Sequence, residues 1–83
     1  MRIKLLYFAA VRDLMEGKTG EEIDLPPAVA TIADLTSWLE LTHSALSENL
    51  ASVRFAQNEA FVTADSLLRN GDVIALIPPV AGG

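Results

Sequence analysis

The chain has no cysteine, a single histidine, one tryptophan and one tyrosine in 83 residues. Without cysteine there is no disulfide scaffold, no thiolate nucleophile and no cysteine-ligated zinc or cluster site. The lone imidazole, His43, cannot build a metal centre by itself and is expected as a surface histidine near a helix end. Cations are also few: six Lys and Arg stand against eleven Asp and Glu, a formal charge of −5. Nucleic acid and anionic membranes are therefore poor partners, and a basic protein surface is a better one. No apolar run reaches the ~18 residues of a membrane helix, and the N-terminus lacks a secretory pattern, so the expected location is the cytosol.

What is present is apolar: 51% of the residues are hydrophobic, enough for one small domain with a core of its own. Residues 2–9 (RIKLLYFA) read as a strand with Ile3, Leu5 and Tyr7 on one face and Lys4, Leu6 and Phe8 on the other. Residues 10–15 suit a short helical turn ended by Gly17. Glu21 to Leu25 reads as a second strand, stopped by Pro26-Pro27 and close enough to pair antiparallel with the first. Thr31 and Asp34 form a capping-box pattern at the start of the one long helix, whose apolar stripe is Ile32, Leu35, Trp38 and Leu39. Trp38, lying on that stripe, is expected as core filling. Residues 43–50 are ambiguous, 53–58 suit another strand, Asn58-Glu59 a turn and Phe61-Val62 a short continuation. Asn70-Gly71-Asp72 is a turn, and 73–77 (VIALI) is a final strand apolar on both faces.

Strand, strand, long helix, strands is an α+β order, and a β-grasp arrangement fits it: a mixed sheet with the first and last strands parallel at its centre and the helix across one face. One helix covers one face only. The other, carrying Leu6, Phe8, Phe61, Val73 and Ile77, is left open unless segments 10–15 and 43–50 fold over it. An open patch of several hundred Å² on a small domain indicates binding.

The last strand runs into Pro78-Pro79-Val80-Ala81-Gly82-Gly83. Prolines fix φ, and residues without a Cβ pass where side chains cannot, so 78–83 is expected as a tail extending from a 1–77 domain. Fully extended, it spans about 20 Å at roughly 3.3–3.6 Å per residue. That length would carry the Gly83 carboxylate into another protein's active site. Taken alone, the glycine doublet is also what chance or a linker leaves.

Three segments together resemble the MoaD family, the ubiquitin-like small subunits of molybdopterin synthase: residues 7–12 (YFAAVR), 57–62 (QNEAFV), and the NGD turn at 70–72 followed by IPPVAGG at 77–83. The FA-x-x-R element separates this pattern from the thiamine-pathway sulfur carriers. Gln57 departs from it, standing where the family has an aliphatic residue.

The resemblance implies that an E1-like, ATP-using enzyme adenylates Gly83, that sulfur from a persulfide source then converts it to a thiocarboxylate, and that the tail delivers this sulfur in the large subunit to cyclic pyranopterin monophosphate. It implies Gly83 as covalent carrier, Gly82 as the slim thread, and Pro78, Pro79, Val80 and Ala81 as the inserted tail. Phe8, Phe61 and Ile77 would be the face docked by both partners. Arg12 would pair either with a partner carboxylate or with an acid of its own chain. No cofactor is expected on this chain, and the assembly would be a heterotetramer. The other readings are a carrier for thiamine or transfer-RNA thiolation, a ubiquitin-like protein modifier, and an interaction module with an idle tail.

Overall fold

The computed structural model describes residues 1–79. In chain order the elements are β1 (Arg2–Tyr7), α1 (Ala9–Leu14), β2 (Gly20–Asp24), α2 (Ile32–Thr42), two 3-10 turns (Ser44–Leu46 and Leu50–Ser52), β3 (Arg54–Gln57), β4 (Ala60–Phe61) and β5 (Val73–Ile77). They form one five-stranded sheet in the order β2-β1-β5-β3-β4. The β1–β5 pair is parallel and every other pair antiparallel. This is the expected α+β, β-grasp arrangement.

Alternation along β1 decides the layers. Ile3, Leu5 and Tyr7 are at most 1% exposed and meet Ile32, Leu35 and Leu39 of α2. In register with them, Ile74 and Leu76 of β5 are fully covered on the same side. The helix begins where Thr31 Oγ1 accepts from the Asp34 amide at 3.2 Å. Asp34 Oδ2 in return accepts from the Ala30 and Thr31 amides at 3.0 and 3.2 Å, so the capping box is closed with aspartate in place of the usual glutamate.

The first strand ends at Tyr7 rather than Ala9, because Phe8 is the extended N-cap of α1 and Ala9 opens the helix with φ of 47°. Gly17, with φ of 82°, takes the left-handed backbone that lets the chain turn back into β2.

Two side chains near the end of α2 sit differently from the sequence expectation. His43 is indeed the C-cap, but its side chain is only 13% exposed, since the sheet edge closes over it. Its Nε2 lies 3.3 Å from Glu21 Oε2, an oxygen that also accepts from the Tyr7 hydroxyl. Trp38 is half-buried at the margin of the core, its ring 5.6 Å from the imidazole. Burial of the Glu21 carboxyl acts to raise its pKa, but the Tyr7 hydrogen bond and the nearby His43 and Lys18 outweigh this and hold it below the usual range. Burial first, then Glu21, pushes the Tyr7 phenol well above its ordinary value. This cluster ties the end of α2 to β1 and β2.

Candidate functional site

Among the described residues no element packs across the other side of the sheet. Val11, Leu46 and Leu50 join the core shared with α2, so α1 and the 3-10 turns pack on the helix side and do not cover that face. Directly paired residues share a face, and the register therefore lays out one row as Leu6, Ala75, Ala56 and Phe61. Beside it, Phe8 continues the β1 alternation, its amide reaching Leu76 O at 3.4 Å, and Ile77 pairs with Arg54. Small alanines in the middle and large aromatics at the margins make the surface concave. The concavity holds about 640 Å³ and is lined by Leu6, Phe8, Ala56, Phe61, Val73 and Ile77, among others. Phe8 is 41% and Phe61 57% exposed, while Ala56 and Ala75 at the floor are almost covered.

All five residues expected on this face line it. The last strand ends at Ile77, so the site borders the point where the prolines leave the sheet. Pro78 and Pro79 line a groove with Ala10, Val11 and Leu14 of α1 and with Asn49, Ser52 and Val53. Val80, Ala81, Gly82 and Gly83 lie outside the described residues.

Arg12 is half-buried beside this face, its Nε donating to the Tyr7 carbonyl at 3.4 Å. Arg12 lines a shallow groove with Phe8, Glu21 and Glu22, and among the described residues no acid reaches ion-pair distance of it. Arg54 was not singled out from the sequence. Its guanidinium carbon stands 4.2 Å from the Phe61 ring centre. The alternation of Arg54 and Ala56 against Phe55 was the available signal.

One margin of the face is fixed by a polar network. Asn58 and Glu59 both have positive φ, 50° and 73°, forming the two-residue hairpin turn between β3 and β4. Asn58 Oδ1 accepts from the Val73 amide at 2.9 Å, and its Nδ2 donates to Asp72 Oδ1 at 2.9 Å. Gln57 Nε2 donates to Asp72 Oδ2 at 2.7 Å and to the Leu67 carbonyl at 2.8 Å. That gives the departing residue Gln57 a purpose an aliphatic side chain could not serve. Asp72, 7% exposed, is fully engaged: burial acts to raise its pKa, yet hydrogen bonds from Asn58, Gln57 and the Arg69 amide together hold it low. Gly71, with φ of 88°, allows the turn that aims this carboxylate inward.

Fold and site together define a class: a β-grasp domain whose sheet presents an apolar concavity beside the end of its last strand. Comparison with known proteins narrows the class. Residues 5–83 match the ThiS family model, and the chain belongs to that family. It is 34% identical over 85 residues to the molybdopterin synthase sulfur carrier subunit of Chlamydomonas reinhardtii, covering 100% of both chains. Among solved structures it superposes on a putative molybdopterin converting factor subunit 1 from Pyrococcus furiosus with a TM-score of 0.80 at 34% identity, over 96% of this chain and 99% of that one. It also matches a structure of the complex of subunits 1 and 2 of the molybdopterin-converting factor from Helicobacter pylori, with a TM-score of 0.73 at 25% identity and full coverage of both.

Proposed function

We propose that this chain is the sulfur carrier subunit of a molybdopterin synthase, acting through its open sheet face and Gly83. The observation that carries this reading is the continuity of an apolar concavity with the strand end at Ile77 and Pro78. A protein docked on the concavity is thereby placed to receive whatever follows Pro79. The full-length relatives that bear the sulfur-carrier name support it.

The chemistry follows from the terminus. A carboxylate is a poor electrophile until one of its oxygens becomes part of a good leaving group. An E1-like enzyme would supply that by joining the Gly83 carboxylate to AMP from ATP. The outer sulfur of a persulfide donor then attacks the acyl carbon and expels AMP, giving an acyl disulfide. A thiol of the donor system cleaves that S–S bond, itself ending in a disulfide, to release the thiocarboxylate. Docking on the large subunit would bring this sulfur to cyclic pyranopterin monophosphate, and two deliveries complete a dithiolene. Phe8, Phe61 and Ile77 provide the docking area, Arg12 borders it, and Pro78 to Gly82 form the thread. This chain contributes the carrier, the large subunit the acid-base groups and the substrate pocket, and the work takes place in the cytosol. Among the described residues no helix is long and apolar enough to cross a membrane.

The test is intact mass spectrometry after incubation with the activating enzyme, ATP and a persulfide donor, followed by addition of the large subunit and the pyranopterin. The expected species is heavier by the difference between sulfur and oxygen and is consumed as molybdopterin forms. Thiocarboxylate without molybdopterin would assign the chain to another thiolation pathway, and lysine adducts to protein modification. No mass change under any activating condition ends the carrier reading altogether.

A further inference from the structure

Arg54 stands directly across from Ile77, the last strand residue before Pro78, with its guanidinium against the Phe61 ring. Acids outnumber cations eleven to six in this chain, yet among the described residues none lies within ion-pair distance of Arg54. The acids sharing the open face are elsewhere. Glu22 and Asp24 engage Arg2 at the opposite end of β1, and Glu59 sits in the turn at the far end of β3. Arg54, paired with Ile77, is thus a cation without a counter-ion among the described residues at the root of the terminal segment.

We infer that Arg54 is a specificity-determining contact, receiving a carboxylate from the rim of the large subunit's entry channel. This rests on the functional reading above. Three properties of the site support it. An aromatic face attracts the cation while leaving the N–H edges of the guanidinium free for a carboxylate. A long side chain already held on a ring loses less rotamer freedom when it pairs. A partner closing over Phe61 with apolar surface alone would bury an uncompensated charge wherever Arg54 stays on the ring, and an acid at that spot removes the cost. The net charge of −5 points to a basic partner. At this position the sign reverses, and a partner with the wrong local charge is excluded.

The same geometry has a second meaning, in which Arg54 only shields Phe61 until docking and must then swing aside. The two make opposite predictions when the charge is removed. Wild type, Arg54→Gln, Arg54→Lys and Ile77→Ala are titrated with the large subunit from the same organism at low and high salt. Arg54→Gln is expected to weaken binding about tenfold at low ionic strength. The difference should close near 1 M salt, where the Debye length is about 3 Å. Arg54→Lys should recover part of the loss, and melting temperatures should stay unchanged because Arg54 is exposed. Equal or tighter binding by Arg54→Gln at low salt overturns the inference in favour of the shield. If Ile77→Ala weakens binding and Arg54→Gln does not, this inference alone falls; if wild type fails to bind, the functional reading falls with it.

Discussion

Replacing Phe61 with alanine removes a ring that is 57% exposed in the free chain. For a side chain of about 200 Å², the exposed part is roughly 110 Å², and covering it stabilises a complex by about 3 kcal/mol at 25 cal/mol per Å². Phe61→Ala should therefore weaken docking by about 100-fold. The part already covered in the free chain is worth about 2 kcal/mol at most, since unfolded chains bury some of the same surface. No cavity forms, because the ring lies on an open strand of two residues. The monomer should lose about 1–2 kcal/mol, or roughly 10 °C in Tm for a domain of this size. Leu5→Ala, at a fully covered position one face away, should cost about 2–5 kcal/mol and leave the fold marginal. The pair of assays is calorimetric titration with the large subunit and thermal melting of the free chain. If Phe61→Ala costs more in folding than in docking, or shifts Kd by less than about threefold, the open face is not where the partner sits.

Gly83→Ala, or deletion of Gly83, should abolish the sulfur-bearing species in mass spectra while leaving the melting temperature unchanged. A large fall in Tm would make the terminus structural. Asp72→Asn keeps the shape but turns one acceptor oxygen into a donor facing other donors, and should cost about 1–3 kcal/mol at neutral pH. Because the Asp72 pKa is lowered by folding, its contribution is present above about pH 4 and is lost as pH falls through the folded value. Urea melts of wild type and variant should therefore converge in acid, and a gap independent of pH would contradict the assignment. Gly20→Ala would place a Cβ 2.5 Å from the Leu5 carbonyl oxygen, forcing β2 away from β1 at a cost of about 1–3 kcal/mol. Unchanged stability in a denaturant titration would refute that contact.

Much of the architecture was legible because periodicity is a local property. Ile3, Leu5 and Tyr7 alternate with Lys4, Leu6 and Phe8, so two faces of one strand could be separated before any partner was known. The capping pair Thr31 and Asp34, the Gly71 turn and the uncovered face rest on the same kind of signal. His43 and Trp38 were harder. The histidine's burial depends on Glu21 arriving from the sheet edge, a partner 22 residues away, and Trp38 packs against that imidazole at the margin of the core. Arg54 was overlooked for the same reason, since its significance lies in a ring brought alongside by a hairpin.

The sequence by itself determined the order of the main strands and the long helix, the surplus of apolar surface over what one helix can cover, and the absence of any thiol from this chain. Only the tertiary structure decided which side the short segments 10–15 and 43–50 would take, and that the two alanines at 56 and 75 would hollow the exposed face between Phe8 and Phe61. Local patterns report what each residue prefers to face. A concavity, a buried carboxylate or a cation resting on a ring exists only once residues distant along the chain are brought together by the sheet.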